Sequence, residues 1–227
     1  LRGAVSDDRP PTMTESPAII VLAAGLGSRF QDAGHKLSQS LGSSSVLGAT
    51  LNRAATSGLP LVVVTTKALV EEAARHVARQ DIVVLEASSR AVEGRSELRA
   101  VNARLGEGAA IAAGVSARSK ARGWVVLPAD MPLVQTVTLQ RVAAALSEHT
   151  IVCAQLHGQR GYPIAFNVEL YSELVRLQGD EGARRVASRY PTHAVEVNDP
   201  GVLVDVDSVA DLARVRRLWA HAEAVLP

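Results

Sequence analysis

Short apolar runs without polar alternation are the feature that most constrains how this chain can fold. Ile19–Leu22, Leu61–Val64 and Val125–Leu127 are apolar at every position. A strand with one face in solvent would alternate apolar and polar residues, so these runs predict strands that are buried on both faces. Longer stretches rich in Ala, Leu and Arg, with helical period, lie between them. The pattern predicts an α/β fold, a three-layer sandwich with a mostly parallel sheet.

The predicted strands and helices alternate from residue 18 onward. Strands are predicted at Ala18–Ala23, Leu61–Thr65, Ile82–Leu85, Trp124–Leu127, Thr150–Ala154, Pro163–Phe166, His193–Val197 and Val202–Val204. Helices are predicted at Ser45–Ser57, Ala68–Arg79, Gly108–Arg118, Val137–Glu148, Val168–Leu177, Glu181–Arg189 and Ser208–Ala222. Short strands and turns dominate residues 150–204, which predicts antiparallel edge strands there rather than a separate domain.

Length and composition exclude several classes of protein. The 227 residues leave room for one large domain or two small ones, and the longest apolar run, Ala18–Ala24, has seven residues. A membrane span needs about 20 residues, so we expect no membrane partner. A net charge of +1 and an aromatic content of 3% argue against a nucleic-acid partner. Cys153 is the sole cysteine, which favours a buried thiol in a reducing, cytoplasmic compartment over a disulfide framework.

The first sixteen residues differ in composition from the rest of the chain. They hold prolines and mixed charges without apolar period, which predicts a disordered N-terminal extension over residues 1–16. Met13 is a plausible natural start, and no apolar segment of a signal peptide precedes it. Residues 17–227 are expected to form a single domain.

The segment after the first predicted strand has the features of a phosphate-binding loop. It reads Leu-Ala-Ala-Gly-Leu-Gly-Ser-Arg over residues 22–29, with Lys36 beyond it. Glycines let backbone N–H groups approach a phosphate, and the Arg29 and Lys36 side chains add positive charge. A Walker loop would need a Gly-Lys-Ser/Thr ending that is absent, and a dinucleotide fingerprint would need a third glycine where Phe30 stands. A loop for a nucleoside triphosphate is therefore favoured over these two and over an ordinary strand–helix turn.

Two acidic segments could bind a metal ion near such a loop. Asp130 directly follows a buried strand, where a carboxylate can hold Mg²⁺ against nucleotide phosphates; the alternative is a turn or helix-capping residue. Asp205 and Asp207 lie on the same side of an extended segment near the end of the chain. Ser208 and Asp211 resemble a capping box there, so a helix N-terminus is the alternative interpretation.

Together these segments resemble the MobA-like nucleotidyltransferases, in particular the molybdenum-cofactor cytidylyltransferase branch. The loop resembles the family's Leu-Ala-Ala-Gly-x-Gly-x-Arg…Lys signature, and Pro-Ala-Asp-Met-Pro at 128–132 resembles its Gly-Asp-x-Pro element. Further matches are 106–114 to Gly-x-Gly-x-Ser-Ile-x-x-Gly, 161–163 to Gly-His-Pro, 179–184 to Gly-Asp-x-Gly-Ala-Arg and 204–212 to Asp-Ile-Asp-Thr-Pro-Glu-Asp-Leu. The resemblance implies a Rossmann-like sheet as in nucleotide-diphospho-sugar transferases.

The resemblance also implies roles for the matched residues. The implied catalytic residues are Arg29, Lys36 and Asp130. The implied nucleotide-binding residues are Leu22, Ala23, Ala24, Gly25, Gly27, Ser28, Arg29, Lys36, Thr65, Gly106 and Gly108. The implied acceptor-binding residues are Gly161, Tyr162, Pro163, Asp180 and Arg184. The implied Mg²⁺ ligands are Asp130 and Asp207, with Asp205 as a neighbour that shares or supports them. Ala24 stands where guanylyl-transferring relatives have Gly. The resemblance implies that Ala at this position goes with cytidine nucleotides.

The implied reaction is the transfer of CMP from CTP to a phosphate-bearing acceptor, with molybdopterin cofactor as the acceptor and pyrophosphate as the product. A sugar or polyol phosphate is an alternative acceptor. A non-catalytic nucleotide- or cofactor-binding accessory protein for a molybdoenzyme partner is a further alternative, because Phe30, Ala110, Tyr162 and Val209 depart from the family pattern. An NAD-dependent dehydrogenase is disfavoured, because the third glycine and the ribose-binding acid are missing.

Overall fold

The computed structural model describes residues 16–25, 35–86, 106–180 and 182–225. Of the predicted site residues, Gly27, Ser28 and Arg29 lie outside the described residues, as does nearly all of the predicted N-terminal extension.

Seven of the nine described strands form one sheet. The strands are β1 (Ala18–Ala23), β2 (Ser40–Leu41), β3 (Ser44–Ser45), β4 (Leu61–Thr66), β5 (Ile82–Leu85), β6 (Gly123–Pro128), β7 (Ile151–Leu156), β8 (Gln159–Asn167) and β9 (His193–Glu196). The sheet order is β5-β4-β1-β6-β8-β7-β9, and β2 and β3 form a separate small antiparallel pair. Within the large sheet, β8 runs antiparallel to both of its neighbours, and the other pairs are parallel.

Helices flank the large sheet. They are α1 (Val46–Thr56), α2 (Val70–Ala73), α3 (Glu107–Ala117), α4 (Thr136–Ala145), α5 (Tyr171–Leu174), α6 (Ala183–Ala187) and α7 (Val209–Val225). Helix α3 packs against β1 and β4, and α4 packs against β6, β7 and β8. Among the described residues, no helix combines the length and the apolar character needed to cross a membrane.

Burial along β1 explains why this sheet forms. The consecutive side chains of Ile19, Ile20 and Val21 point to alternate faces, and each is fully buried. Both faces of the strand are therefore covered, which confirms the mostly parallel α/β sandwich. On one face α3 approaches closely because Gly114 has no side chain: a β-carbon there would lie 2.4 Å from Cγ2 of Ile20.

The second half of the chain differs in detail from the prediction. Antiparallel edge strands are predicted here, but the strand that runs antiparallel to its neighbours, β8, lies inside the large sheet, with β7 and β9 between it and the edge. The predicted strand Val202–Val204 is wrong: Pro200–Leu203 form a 3-10 helix. The buried Asp199 carboxylate causes this turn, because it accepts hydrogen bonds from the Gly201 amide at 3.0 Å and the Thr138 hydroxyl at 2.6 Å.

The neighbouring parallel strands β1 and β6 determine where the site lies. Leu22 is paired with Pro128, so both strands end at the same edge of the sheet. The Ala129 amide donates to the Leu22 carbonyl at 3.0 Å, and the Thr50 hydroxyl donates to the Ala129 carbonyl at 2.8 Å. These bonds fix the loop after β6 beside the end of β1, at the edge of the sheet where ligands bind in open α/β sheets.

Candidate active site

A cavity of about 670 Å³ opens at the carboxyl ends of β1 and β6. Both halves of the chain contribute to its walls. The lining residues are Leu22, Ala24, Gly25, Lys36, Leu37, Glu107, Ala110, Pro128, Asp130, Met131, Gln159, Arg160, Tyr162, Arg184, Val202, Leu203, Asp205 and Asp207. The cavity therefore joins the predicted nucleotide, metal and acceptor elements in one place.

Two predicted metal ligands meet at one lysine in this cavity. The Lys36 ammonium donates to Asp130 Oδ2 at 2.5 Å and to Asp207 Oδ1 at 2.8 Å. The segment that carries Asp207 is held beside the β6 end because the Val206 amide donates to the Asp130 carbonyl at 3.0 Å. Asp205 lines the same cavity. One charged cluster is thus formed by the side chains of Lys36, Asp130 and Asp207, which lie up to 171 positions apart in sequence.

His35 holds Lys36 against the end of β1. Its Nδ1 accepts from the Leu37 amide at 3.2 Å, and its Nε2 lies 3.1 Å from the Gly25 carbonyl. An amide can only donate, so Nδ1 carries no proton and Nε2 is the donor to Gly25. Burial lowers the pKa of His35, and the Lys36 charge acts in the same direction. The neutral ring is therefore the form that makes both bonds.

Burial and charge act against each other in the Lys36 cluster. Burial lowers the pKa of Lys36, but the charges and hydrogen bonds of Asp130 and Asp207 outweigh it, and the net pKa is raised. The pKa of Asp130 is raised because the carboxyl is buried, and Lys36 offsets only part of that effect. The lysine is thus a firmly protonated cation.

A Lys36→Met variant tests this ion cluster through the pH dependence of stability. Because the folded-state pKa of Lys36 lies above its ordinary 10.5, its contribution is fully present below that pH and is lost as pH rises through the folded pKa. We expect the wild type to unfold at a higher temperature than Lys36→Met at pH 8, and this difference to shrink above pH about 10.5. Thermal unfolding of both proteins from pH 8 to 12 checks this, and a pH-independent difference would contradict it.

The donor set suits a divalent cation. The carboxylates of Asp130 and Asp207 both contact the Lys36 ammonium, which lies between them. Within the described residues, no group of three or more His, Cys, Asp or Glu side chains is arranged to hold a metal ion. One or two carboxylates completed by phosphate oxygens and water is the usual environment of Mg²⁺ beside a nucleotide. Asp130 and Asp207 fit that requirement.

Tyr162 and Arg184 lie together in the wall of the same cavity. The Arg184 guanidinium lies 5.0 Å from the centre of the Tyr162 ring, and both residues line the cavity. The Tyr162 hydroxyl donates to Glu107 Oε1 at 3.0 Å. Burial raises the pKa of Tyr162, and the Glu107 charge raises it further, so the phenol stays protonated and acts as a donor.

Several predicted site residues do not line the main cavity. Thr65 is fully buried, and its hydroxyl donates to the Ala23 carbonyl at 3.4 Å, so it secures the end of β1. Ala23, Gly106, Gly108, Pro163 and Asp180 do not line the cavity, and Gly161 lines a smaller neighbouring cavity of about 230 Å³. The structure also places four residues that were not predicted in or beside the site: His35, Glu107, Met131 and Arg160.

Gly106 lets two segments of the wall come into contact. A β-carbon on it would lie 2.1 Å from the Gly179 carbonyl oxygen, which also accepts from the Gly108 amide at 2.8 Å. We expect Gly106→Ala to lower the free energy of unfolding by about 1–3 kcal/mol, because the backbone at Gly179 must move. Urea denaturation measures this. Ser116→Ala, an exposed change on α3, the helix that Gly106 precedes, is the control and should stay within about 0.5 kcal/mol; equal values for both variants would contradict the expectation.

The sequence defines the class of protein through a family model, and that class is the NTP transferases. Over residues 19–195 the chain matches the MobA-like NTP transferase domain, and it belongs to that family. The match confirms the resemblance to the MobA-like family that the motifs indicated.

Three proteins illustrate what this chain is similar to. The purine catabolism protein PucB of Bacillus subtilis (strain 168) is 32% identical over 121 residues, and the match covers 51% of this chain and 58% of PucB. Rv0371c from Mycobacterium tuberculosis H37Rv has a TM-score of 0.69 at 25% identity, covering 90% of this chain and 99% of that one. Its complex with manganese has a TM-score of 0.61 at 27% identity, covering 89% and 98%. Molybdopterin-guanine dinucleotide biosynthesis protein A from Archaeoglobus fulgidus has a TM-score of 0.63 at 16% identity, covering 90% and 99%, a likeness of fold.

Proposed function

We propose that this protein is a Mg²⁺-dependent nucleotidyltransferase that transfers CMP from CTP to a phosphate-bearing acceptor, with molybdopterin cofactor as the acceptor. The observation that carries the proposal is the meeting of Asp130 and Asp207 at Lys36, beside Gly25 at the end of β1. Membership of the MobA-like NTP transferase family supports it. The manganese complex of Rv0371c supports the choice of a divalent cation.

The proposed reaction is an in-line displacement at phosphorus. An oxygen of the acceptor phosphate forms a bond to the α-phosphorus, the bond from that phosphorus to the oxygen bridging to the β-phosphorus breaks, and pyrophosphate leaves with the electron pair. The acceptor phosphate is already an anion, so no side chain is needed as a general base. Catalysis then consists of positioning and charge stabilisation.

Each charged residue has a distinct task in this mechanism. Asp130 and Asp207 would hold Mg²⁺, which when bound supplies positive charge to the nucleotide phosphates. Lys36, which is held in the cavity wall beside Gly25, would stabilise the charge that develops at the α-phosphate. Arg29, on the loop signature, would bind the β- and γ-phosphates through its planar guanidinium.

On the acceptor side, we propose that Arg184 and Tyr162 bind the incoming phosphate-bearing molecule, since both line the same cavity as Lys36. The motif resemblance and the name of the Archaeoglobus neighbour support molybdopterin as the first acceptor to test. The relative PucB is named for purine catabolism. We therefore propose that a molybdoenzyme partner of this protein acts in that process. A reducing, cytoplasmic setting suits the buried Cys153, whose thiol pKa is raised by burial.

A pyrophosphate-release assay tests the proposed function. CTP, GTP and ATP are each incubated with the protein, with and without molybdopterin cofactor and Mg²⁺. We expect pyrophosphate only when CTP, the cofactor and Mg²⁺ are all present. Release with a sugar or polyol phosphate in place of the cofactor would assign the alternative acceptor class. CTP binding by calorimetry without pyrophosphate from any acceptor would favour the accessory protein and contradict the enzyme.

A further inference from the structure

One carboxylate in the cavity wall joins three segments of the chain, and neither the family resemblance nor the proposed mechanism uses it. Glu107 begins α3, directly between the two glycines of the nucleotide-side element. Its Oε1 accepts from the Tyr162 hydroxyl at 3.0 Å and from the Ala183 amide at 3.0 Å. Tyr162 lies on β8, and Ala183 is the first residue of α6. The partners of this oxygen are thus both on the acceptor side.

Close backbone contacts surround this carboxylate. A β-carbon on Gly182 would lie 2.1 Å from Glu107 Oε2, so the chain before α6 passes directly against the side chain. The Gly108 amide donates to the Gly179 carbonyl at 2.8 Å. The nucleotide-side element at 106–114 and the acceptor-side element at 179–184 are therefore joined twice. The Glu107 side chain makes one connection, and the backbone of the next residue makes the other.

Arg184 connects this junction to the cavity. It follows Ala183 in α6, and its guanidinium lies over the Tyr162 ring at 5.0 Å. The position of α6 therefore determines where this positive charge stands, and Glu107 holds both the first amide of α6 and the ring on which the guanidinium rests. A shift of the Glu107 side chain would move both supports of Arg184.

We propose that Glu107 is a positioning residue that ties the acceptor-side residues Tyr162, Ala183 and Arg184 to the nucleotide-side element at Gly106 and Gly108, so that binding of the nucleotide orders the acceptor site. The inference rests on the proposed function for the identity of the two ligands. The physical connection itself exists in the protein without ligands, and it can be measured there.

Amide hydrogen exchange at Ala183, followed by NMR, tests the proposal. In the ligand-free protein we expect Glu107→Ala to speed exchange at Ala183 about tenfold or more, because the amide loses a charged acceptor. Glu107→Gln retains an acceptor oxygen in the same position, so its exchange should stay within roughly threefold of the wild type. The same rates in wild type and Glu107→Ala would overturn the proposal.

The second arm adds CTP with Mg²⁺. We expect slower exchange at Ala183 in the wild type and in Glu107→Gln, and no such slowing in Glu107→Ala. If Glu107→Ala responds to CTP as the wild type does, the coupling is refuted. Calorimetry of CTP binding to the wild type distinguishes a failure of the proposed function from a failure of the role of Glu107. If the wild type does not bind CTP, the proposed function fails. The exchange rates of the ligand-free proteins then decide the role of Glu107.

Two tyrosines provide a matched control. Tyr162→Phe removes a hydroxyl that donates to Glu107, and Tyr190→Phe removes an exposed hydroxyl that donates to Glu173. We expect Tyr162→Phe to speed exchange at Ala183 and Tyr190→Phe to leave it unchanged. Unchanged exchange at amides of β7 in every variant shows that the fold is retained. An equal response to both tyrosine changes would contradict the role of the Tyr162–Glu107 bond.

Discussion

Asp130→Asn is expected to lower the rate of nucleotidyl transfer by about 100-fold or more while the protein remains folded. The amide keeps the shape of the carboxylate but removes the negative charge that would hold a divalent cation against the phosphates. The fold should survive because Lys36 keeps its second partner, Asp207, at 2.8 Å. Pyrophosphate release under saturating CTP and Mg²⁺ measures the rate, and circular dichroism with thermal unfolding checks the fold.

Glu148→Gln is the matched control for this change. It also replaces a carboxylate by its amide, on an exposed residue that does not line the main cavity. Its rate should equal that of the wild type. A folded Asp130→Asn protein with near-normal turnover would remove the proposed mechanism.

Lys36→Met is expected to have two large and opposite effects. Nucleotidyl transfer should fall by about 100-fold or more, because a main positive charge beside the α-phosphate is lost. Binding of Mn²⁺ without nucleotide should instead become tighter by about tenfold or more, because the ammonium no longer stands between Asp130 and Asp207. Electron paramagnetic resonance of free Mn²⁺ measures the second effect independently of any acceptor.

Lys67→Met controls for the change in net charge. Lys67 is exposed and does not line the cavity, so its loss should change neither the rate nor the Mn²⁺ affinity. If Lys36→Met bound Mn²⁺ no more tightly than Lys67→Met, the two carboxylates would not form the proposed cation site.

The sequence predicts the sheet well because its signal is local. Runs such as Ile19–Leu22 and Leu61–Val64 are apolar at each position, and burial on both faces follows directly from that composition. The failure at Val202–Val204 has the opposite cause. Its β-branched residues fit a strand, but the buried Asp199, a capping residue, determines the turn through bonds to Gly201 and to Thr138 on another helix.

The site is predictable to a different extent for each residue. Asp130 could be found from its place after a buried strand. The meeting of Asp130 with Asp207 depends on the bond between the Val206 amide and the Asp130 carbonyl, which no local pattern contains. Glu107 was missed because an acid in the first turn of a helix has an ordinary dipole explanation. Its partner Tyr162 lies 55 positions away in sequence, so only the fold reveals the contact.

The central claim is that Asp130 and Asp207 together hold one divalent cation that faces the nucleotide phosphates. An anomalous difference map from crystals grown with Mn²⁺ and a non-hydrolysable CTP analogue tests this directly. The account predicts one peak within roughly 2–2.5 Å of a carboxylate oxygen of each aspartate, with Lys36 withdrawn from between them towards the phosphates. A map in which the Lys36 ammonium still bridges both carboxylates and the manganese peak lies elsewhere would contradict it.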